Sequence, residues 1–237
     1  MEIIVFTIFY NFGALPNTSA LSLPQLITII WLKQGIFPLN NILIEPELRR
    51  KIISGDVALD LCRPLDFYNH WFIRSTAGRI SRAWGRAFFI VITAMVLSPL
   101  VPSLRLGPPA SLASFAFFCV SLFISFFFTS AFVMFSTALR LRVSWGDGPT
   151  YILELAAMIL GGTYLPLQLW PDMMQRLLLL QPFAGHLDIA MRLYVGSMEY
   201  SAAWPALLLQ LGWTLFFVYV GRWVLARNLN SIIVQGG

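Results

Sequence analysis

The chain has 237 residues, 58% of them hydrophobic and only 11% charged, with a net charge of +5. Soluble domains carry roughly 25% charged residues, so the composition excludes a soluble globular domain and implies an all-α, polytopic membrane protein. Runs such as FAFFCVSLFISFFFTSAFVMF do not alternate apolar with polar residues, which excludes a transmembrane barrel.

The positive balance is not a nucleic-acid signature. Most Lys and Arg sit in short loops beside apolar runs, where cytoplasmic loops of membrane proteins collect them. Residues 1 to 15, MEIIVFTIFYNFGAL, read as a first span that is short or begins upstream. No basic region precedes the apolar run, against a signal peptide. The tripeptide Asn17-Thr18-Ser19 matches a glycosylation sequon, which chance explains.

The second span is expected from about Pro24 to Ile44 and contains Lys33-Gln34 and Pro38. Two readings fit Lys33 equally. It lies on a functional path, or it snorkels or pairs with a neighbouring helix for structural reasons.

Residues 45 to 86 form the most polar stretch and hold eight of the 16 Lys and Arg. Glu45-Pro46-Glu47 reads as a helix start, since Pro suits the first turn and acids complement the positive helix end. Leu48 and Ile52 share one face, with Arg49, Arg50 and Lys51 around the rest. Ser54-Gly55-Asp56 stops this helix, and Arg63-Pro64-Leu65-Asp66 makes a second break. From Asn69 to Arg86 the period is helical again. Ile73, Ala77, Ile80 and Trp84 share one face and Arg79, Arg82 and Arg86 lie opposite, the pattern of a helix in the membrane interface with its arginines toward water.

The third span is expected over about Ala87 to Val101 and the fourth, rich in Phe, over about Ser111 to Leu139. Arg140 and Arg142 mark the inner side, and Trp145 to Pro149 a turn. A fifth span runs from about Thr150 to Leu165. Glu154 lies one turn inside it, either reaching water or, if deeper, facing Lys33 as its opposite charge. Pro166, Pro171 and Pro182 then cut the chain into apolar pieces too short to cross. Residues 166 to 183 read as an outer re-entrant segment. A last span covers about Ala202 to Leu225. The resulting single transmembrane domain, residues 1 to 237, is expected to have six spans with both termini cytoplasmic. Twelve Lys and Arg face inward and three, Arg105, Arg176 and Arg192, outward.

Several chemistries are absent from the sequence. There is no GxxxxGK[ST] loop to bind ATP, no HExxH and no clustered Cys and His. Cys62 and Cys119 fall in different environments, against a disulfide. His70 and His186 fall on opposite sides and cannot share a metal, so no metal or cofactor is expected on this chain.

The strings WLKQGIF, IISGDVALDLCRPLDFYNHWF, GGTYLPLQLWPDMMQRLLLLQPF and the terminal VQGG together resemble a bacterial family of type 2 ABC-exporter permeases, over nearly the whole chain from about residue 20. That resemblance implies a subunit of the bacterial inner membrane that dimerises with an identical or related permease. It pairs with a cytoplasmic ATPase subunit, which uses ATP and Mg. It implies ATPase coupling through Glu47, Arg50, Ser54, Gly55, Asp56, Arg63 and Asp66. It also implies a translocation path near Lys33, Gln34 and Glu154, and an outer gate at Pro166, Trp170, Pro171, Pro182 and Phe183. Family members usually carry a cytoplasmic helix before the first span, which this sequence lacks. Two other classes stay open: an integral-membrane enzyme acting on lipids, with Glu154 or His186 as its working group, and a passive channel or scaffold subunit.

Overall fold

The computed structural model describes residues 21–39, 44–62, 64–142 and 148–229, together with Ile3, Val5, Thr7 and Ile8, which are helical. Most of the expected first span, Arg63, the sequon, Trp145 to Asp147 and the terminal VQGG lie outside the described residues. The described residues form helices, and no strand occurs among them.

The helices are α1 (Leu23–Gly35), α2 (Pro46–Ser54), α3 (Val57–Leu61), α4 (Phe67–Leu100), α5 (Leu112–Arg142), α6 (Gly148–Leu160), α7 (Asp172–Leu180), α8 (Asp188–Val195) and α9 (Tyr200–Leu229). Short 3-10 turns at Phe37–Leu39, Pro102–Leu104, Leu167–Leu169 and Pro182–His186 link them. Among the described residues, three helices are long and apolar enough to cross a membrane: Phe67–Leu100, Leu112–Arg140 and Tyr200–Asn228.

α1 has 13 residues, shorter than the expected second span, and gives way to a 3-10 turn at Phe37–Leu39. Pro38 lacks the N–H that a continuing helix needs. α6 also has 13 residues and stops short of Leu165. Gly162 ends it with φ +74°, a left-handed conformation that favours glycine.

α4 corrects the sequence reading in two ways. The expected interfacial helix over Asn69 to Arg86 and the expected third span are one continuous rod of 34 residues, about 51 Å long. Asp66 starts it, accepting a hydrogen bond from the Asn69 backbone N–H at 2.6 Å. Its faces also depart from that reading in part: Arg82 and Arg86 stay exposed and Ile80 is half-buried, but Arg79 turns inward. Arg79 is 0% exposed, whereas Trp84 is 74% exposed and Ile73 lies outside with it. The apolar stripe faces outward, where lipid tails accept it, and the arginine turns in because a carboxylate waits there.

α5 and α9 pack side by side through the centre. Phe128 and Phe132 meet Phe217 edge-on, with ring centroids 5.7 and 5.3 Å apart. At one end of this pair, Asn228 donates to the Ala138 carbonyl at 2.6 Å and Arg222 reaches Asn69 of α4. At the other end Tyr200 meets Ser111 at 2.5 Å, and the Ala110 N–H donates to the Tyr194 carbonyl at 3.0 Å.

Candidate functional site

The polar stretch folds onto the first turns of α4. α2 begins where Glu45 and Pro46 predict and ends at Gly55, with φ +82°. Its apolar face carries Leu48, buried in one cluster with Trp71, Tyr68 and Met134. Its other face leaves Arg49, Arg50 and Ser54 exposed.

α2 runs antiparallel to α4, and charges tie the two. Arg79 Nη1 donates to Glu45 Oε1 at 2.6 Å, and Ser75 Oγ donates to the same oxygen at 3.0 Å. Arg74 Nη2 donates to Glu47 Oε2 at 2.5 Å. Lys51 holds Asp60 of α3 at 2.7 Å and stands over the Trp71 ring. Past the helix end, Ser54 Oγ donates to Asp56 Oδ2 at 2.7 Å, and Asp56 itself is exposed. Of the residues expected to couple, Glu47, Arg50, Ser54, Gly55 and Asp56 thus lie on or beside α2, while Asp66 is the cap of α4.

The residues expected to line a path are not gathered in this way. Lys33 is 5% exposed and its Nζ donates to the Gly162 carbonyl at 2.6 Å, joining α1 to the end of α6. Gln34 meets Arg86, whose Nε donates to its backbone oxygen at 2.7 Å. Glu154 is 1% exposed and faces α5, taking Arg140 Nη2 at 2.7 Å and Ser136 Oγ at 2.8 Å. The counter-charge of Glu154 is therefore Arg140 rather than Lys33.

The segment after α6 turns back into the bundle. Pro166 precedes the Leu167–Leu169 turn, Pro171 precedes α7, and Trp170 lies half-buried between them. Gln181 closes the return: its Oε1 accepts from the Phe183 N–H and its Nε2 donates to the Leu160 carbonyl, both at 2.9 Å. Pro182 then opens the next turn, and Phe183 meets Phe132 edge-on at 5.4 Å. The Gly185 carbonyl accepts from Gln210 Nε2 at 2.7 Å and from Ser125 Oγ at 3.1 Å. Thr129 lies 17 residues into α5, about 26 Å along its axis, and there Oγ1 meets His186 Nδ1 at 2.9 Å. The segment thus reaches roughly the middle of α5. Asp188 fixes its other limb, accepting from Arg192 Nε at 2.6 Å and from the Leu167 N–H at 3.3 Å.

His186 is 0% exposed. The Thr129 hydroxyl donates to the Ser125 carbonyl at 2.9 Å. Its oxygen therefore accepts from His186, and a neutral imidazole carries its proton on Nδ1. No group of three or more His, Cys, Asp or Glu that fits a metal ion occurs among the described residues.

Sequence reasoning missed Arg79, Ser75 and Gln210. Gln210 left a signal, a single amide inside the apolar run WPALLLQLGW. Arg79 left none, because its partner Glu45 stands 34 residues away. No protein-family model, curated protein or solved structure matches the chain.

Proposed function

We propose that the chain is a membrane-spanning permease subunit of an ATP-driven exporter of the type 2 ABC class. It works as a dimer of permease subunits with a separate cytoplasmic ATPase that hydrolyses ATP with Mg. In this reading it sits in a bacterial inner membrane with both termini inside and moves a hydrophobic or amphipathic substrate by alternating access. The observation that carries the reading is α2. A short amphipathic helix, ion-paired along the first turns of the longest described helix, exposes Arg50 and Ser54, with Asp56 exposed just past its end. A transporter subunit without a nucleotide site of its own needs such a handle. The folded-back segment at residues 166 to 186 supports an outer gate, and the resemblance of the GDVALDLCRPLD region supports the family.

The lipid-enzyme alternative fares worse. Its two working groups are both enclosed, and Glu154 is already engaged with Arg140.

The reading is tested by purifying the chain with its co-expressed candidate ATPase. Arg50→Glu and Asp56→Ala, both at exposed positions, are expected to lower ATPase retention or ATP-driven transport at least fivefold without loss of membrane insertion. Unchanged retention and transport in both variants defeat the proposal.

A further inference from the structure

Three side chains of α4 converge on one carboxylate oxygen. Glu45 Oε1 lies 2.6 Å from Arg79 Nη1, 3.0 Å from Ser75 Oγ and 3.7 Å from Arg82 Nη2. Positions 75, 79 and 82 follow the i, i+4, i+7 stripe of a single helix face. Gly78 gives Arg82 room to fold back. A Cβ there would stand 3.2 Å from Arg82 Nη1.

The three contacts are unequal. The Arg79 side chain is 0% exposed, while Arg82 is half in solvent. Arg79 Nε and Nη2 are buried with no hydrogen-bond partner among the described residues. Glu45 is therefore the carboxylate that compensates an otherwise enclosed guanidinium. The Glu47–Arg74 pair lies at the surface with 40% and 52% of its side chains exposed, and pairs of that kind hold weakly. An enclosed pair behaves differently, because parting it leaves a bare charge where water does not reach.

We propose that Glu45 is a positioning residue that locks α2 to α4, so that the two helices move as one body. A push on α2 is then delivered to α4 instead of being absorbed at the hinge between them. The lock stands on the geometry alone. That a nucleotide-driven partner supplies the push rests on the function proposed above.

The test uses amide hydrogen exchange on the full chain in lipid nanodiscs, first alone and then with the partner ATPase plus ATP and vanadate. Wild type is compared with Glu45→Gln, Glu45→Asp, Arg82→Gln and the swapped pair Glu45→Arg/Arg79→Glu. In the chain alone, Glu45→Gln is expected to speed exchange across α2 at least tenfold while α5 and α9 stay as in wild type. Arg82→Gln, at an exposed position, is expected to speed it two- to threefold, so it decides the matter even if Glu45→Gln unfolds. Glu45→Asp and the swapped pair are expected to restore protection. With ATP and vanadate, wild type changes exchange in both α2 and α4, whereas Glu45→Gln confines the change to α2.

Wild-type α2 protection in Glu45→Gln overturns the lock, and if Glu45→Gln unfolds, wild-type α2 protection in Arg82→Gln overturns it. So does a nucleotide response that still reaches α4 in Glu45→Gln. A wild-type complex with no nucleotide response overturns the proposed function instead, and the exchange of the chain alone still decides the lock.

Discussion

Replacing Arg140 by leucine strands a carboxylate. Glu154 is 1% exposed, and its Oε1 is held by Arg140 Nη2 and Ser136 Oγ while its Oε2 is buried with no partner. After the change only one neutral hydroxyl remains for that charge. Removing one member of an enclosed ion pair costs about 3–5 kcal/mol, a fall of roughly 10²- to 10⁴-fold in the ratio of folded to unfolded protein. Removing both charges together costs far less, because no bare charge is left. The assay is a double-mutant cycle on thermal or denaturant unfolding in nanodiscs, with Arg140→Leu, Glu154→Leu and the double variant. Because each single loss costs about 3–5 kcal/mol and the double loss less than either, the expected coupling is about 3 kcal/mol or more. Additivity within about 0.5 kcal/mol refutes the claim that this pair ties α6 to α5.

Gln210→Leu removes donors from the Ser121 and Gly185 carbonyls. A loss of about 1–3 kcal/mol is expected, together with faster exchange at residues 182 to 186. Gly55→Ala meets nothing within 4 Å but sits at φ +82°, so backbone strain alone, about 1–2 kcal/mol, should fray the end of α2 and leave the global unfolding midpoint near wild type. Cys62 and Cys119 are both exposed, Cys119 in an open apolar groove of ≈ 380 Å³ with Trp84 and Phe123. A membrane-impermeant maleimide is expected to label Cys62 only from the cytoplasmic face, and a permeant one to label both. Labelling of Cys62 from outside in intact cells inverts the proposed orientation.

The helical membrane class was legible in bulk composition, and α2 was legible in its punctuation, Glu45-Pro46 at one end and Gly55 at the other. The prolines at 166, 171 and 182 marked where the chain turns between α6 and α8. α4 was not legible as one element. Hydropathy changes sharply near Arg86, and that change suggests a boundary. The backbone follows a different rule: no proline interrupts residues 67 to 98, so the helix continues through the change of solvent. The inward turn of Arg79 was hidden for another reason. Helical periodicity reports which residues share a face, and it groups Arg79 with its fellow arginines. It does not report which face is buried when a remote carboxylate can neutralise the charge. The same limit applied to Glu154, whose counter-charge sits on the neighbouring helix α5.

The length of α4 has a geometric consequence. A hydrocarbon layer is about 30 Å thick and membrane helices tilt by up to about 40°. A rod of about 51 Å cannot be hidden within those limits. At the steepest tilt about 9 Å stands clear of the oil, and about 21 Å if it is upright. The end that emerges must be the one bearing His70 and Arg74, since the opposite end is apolar through Leu97 and Leu100. At least two turns of α4, the ones packed with Leu48 of α2, Met134 of α5 and Val224 of α9, therefore stand clear of the hydrocarbon as the root of a shared extramembrane end.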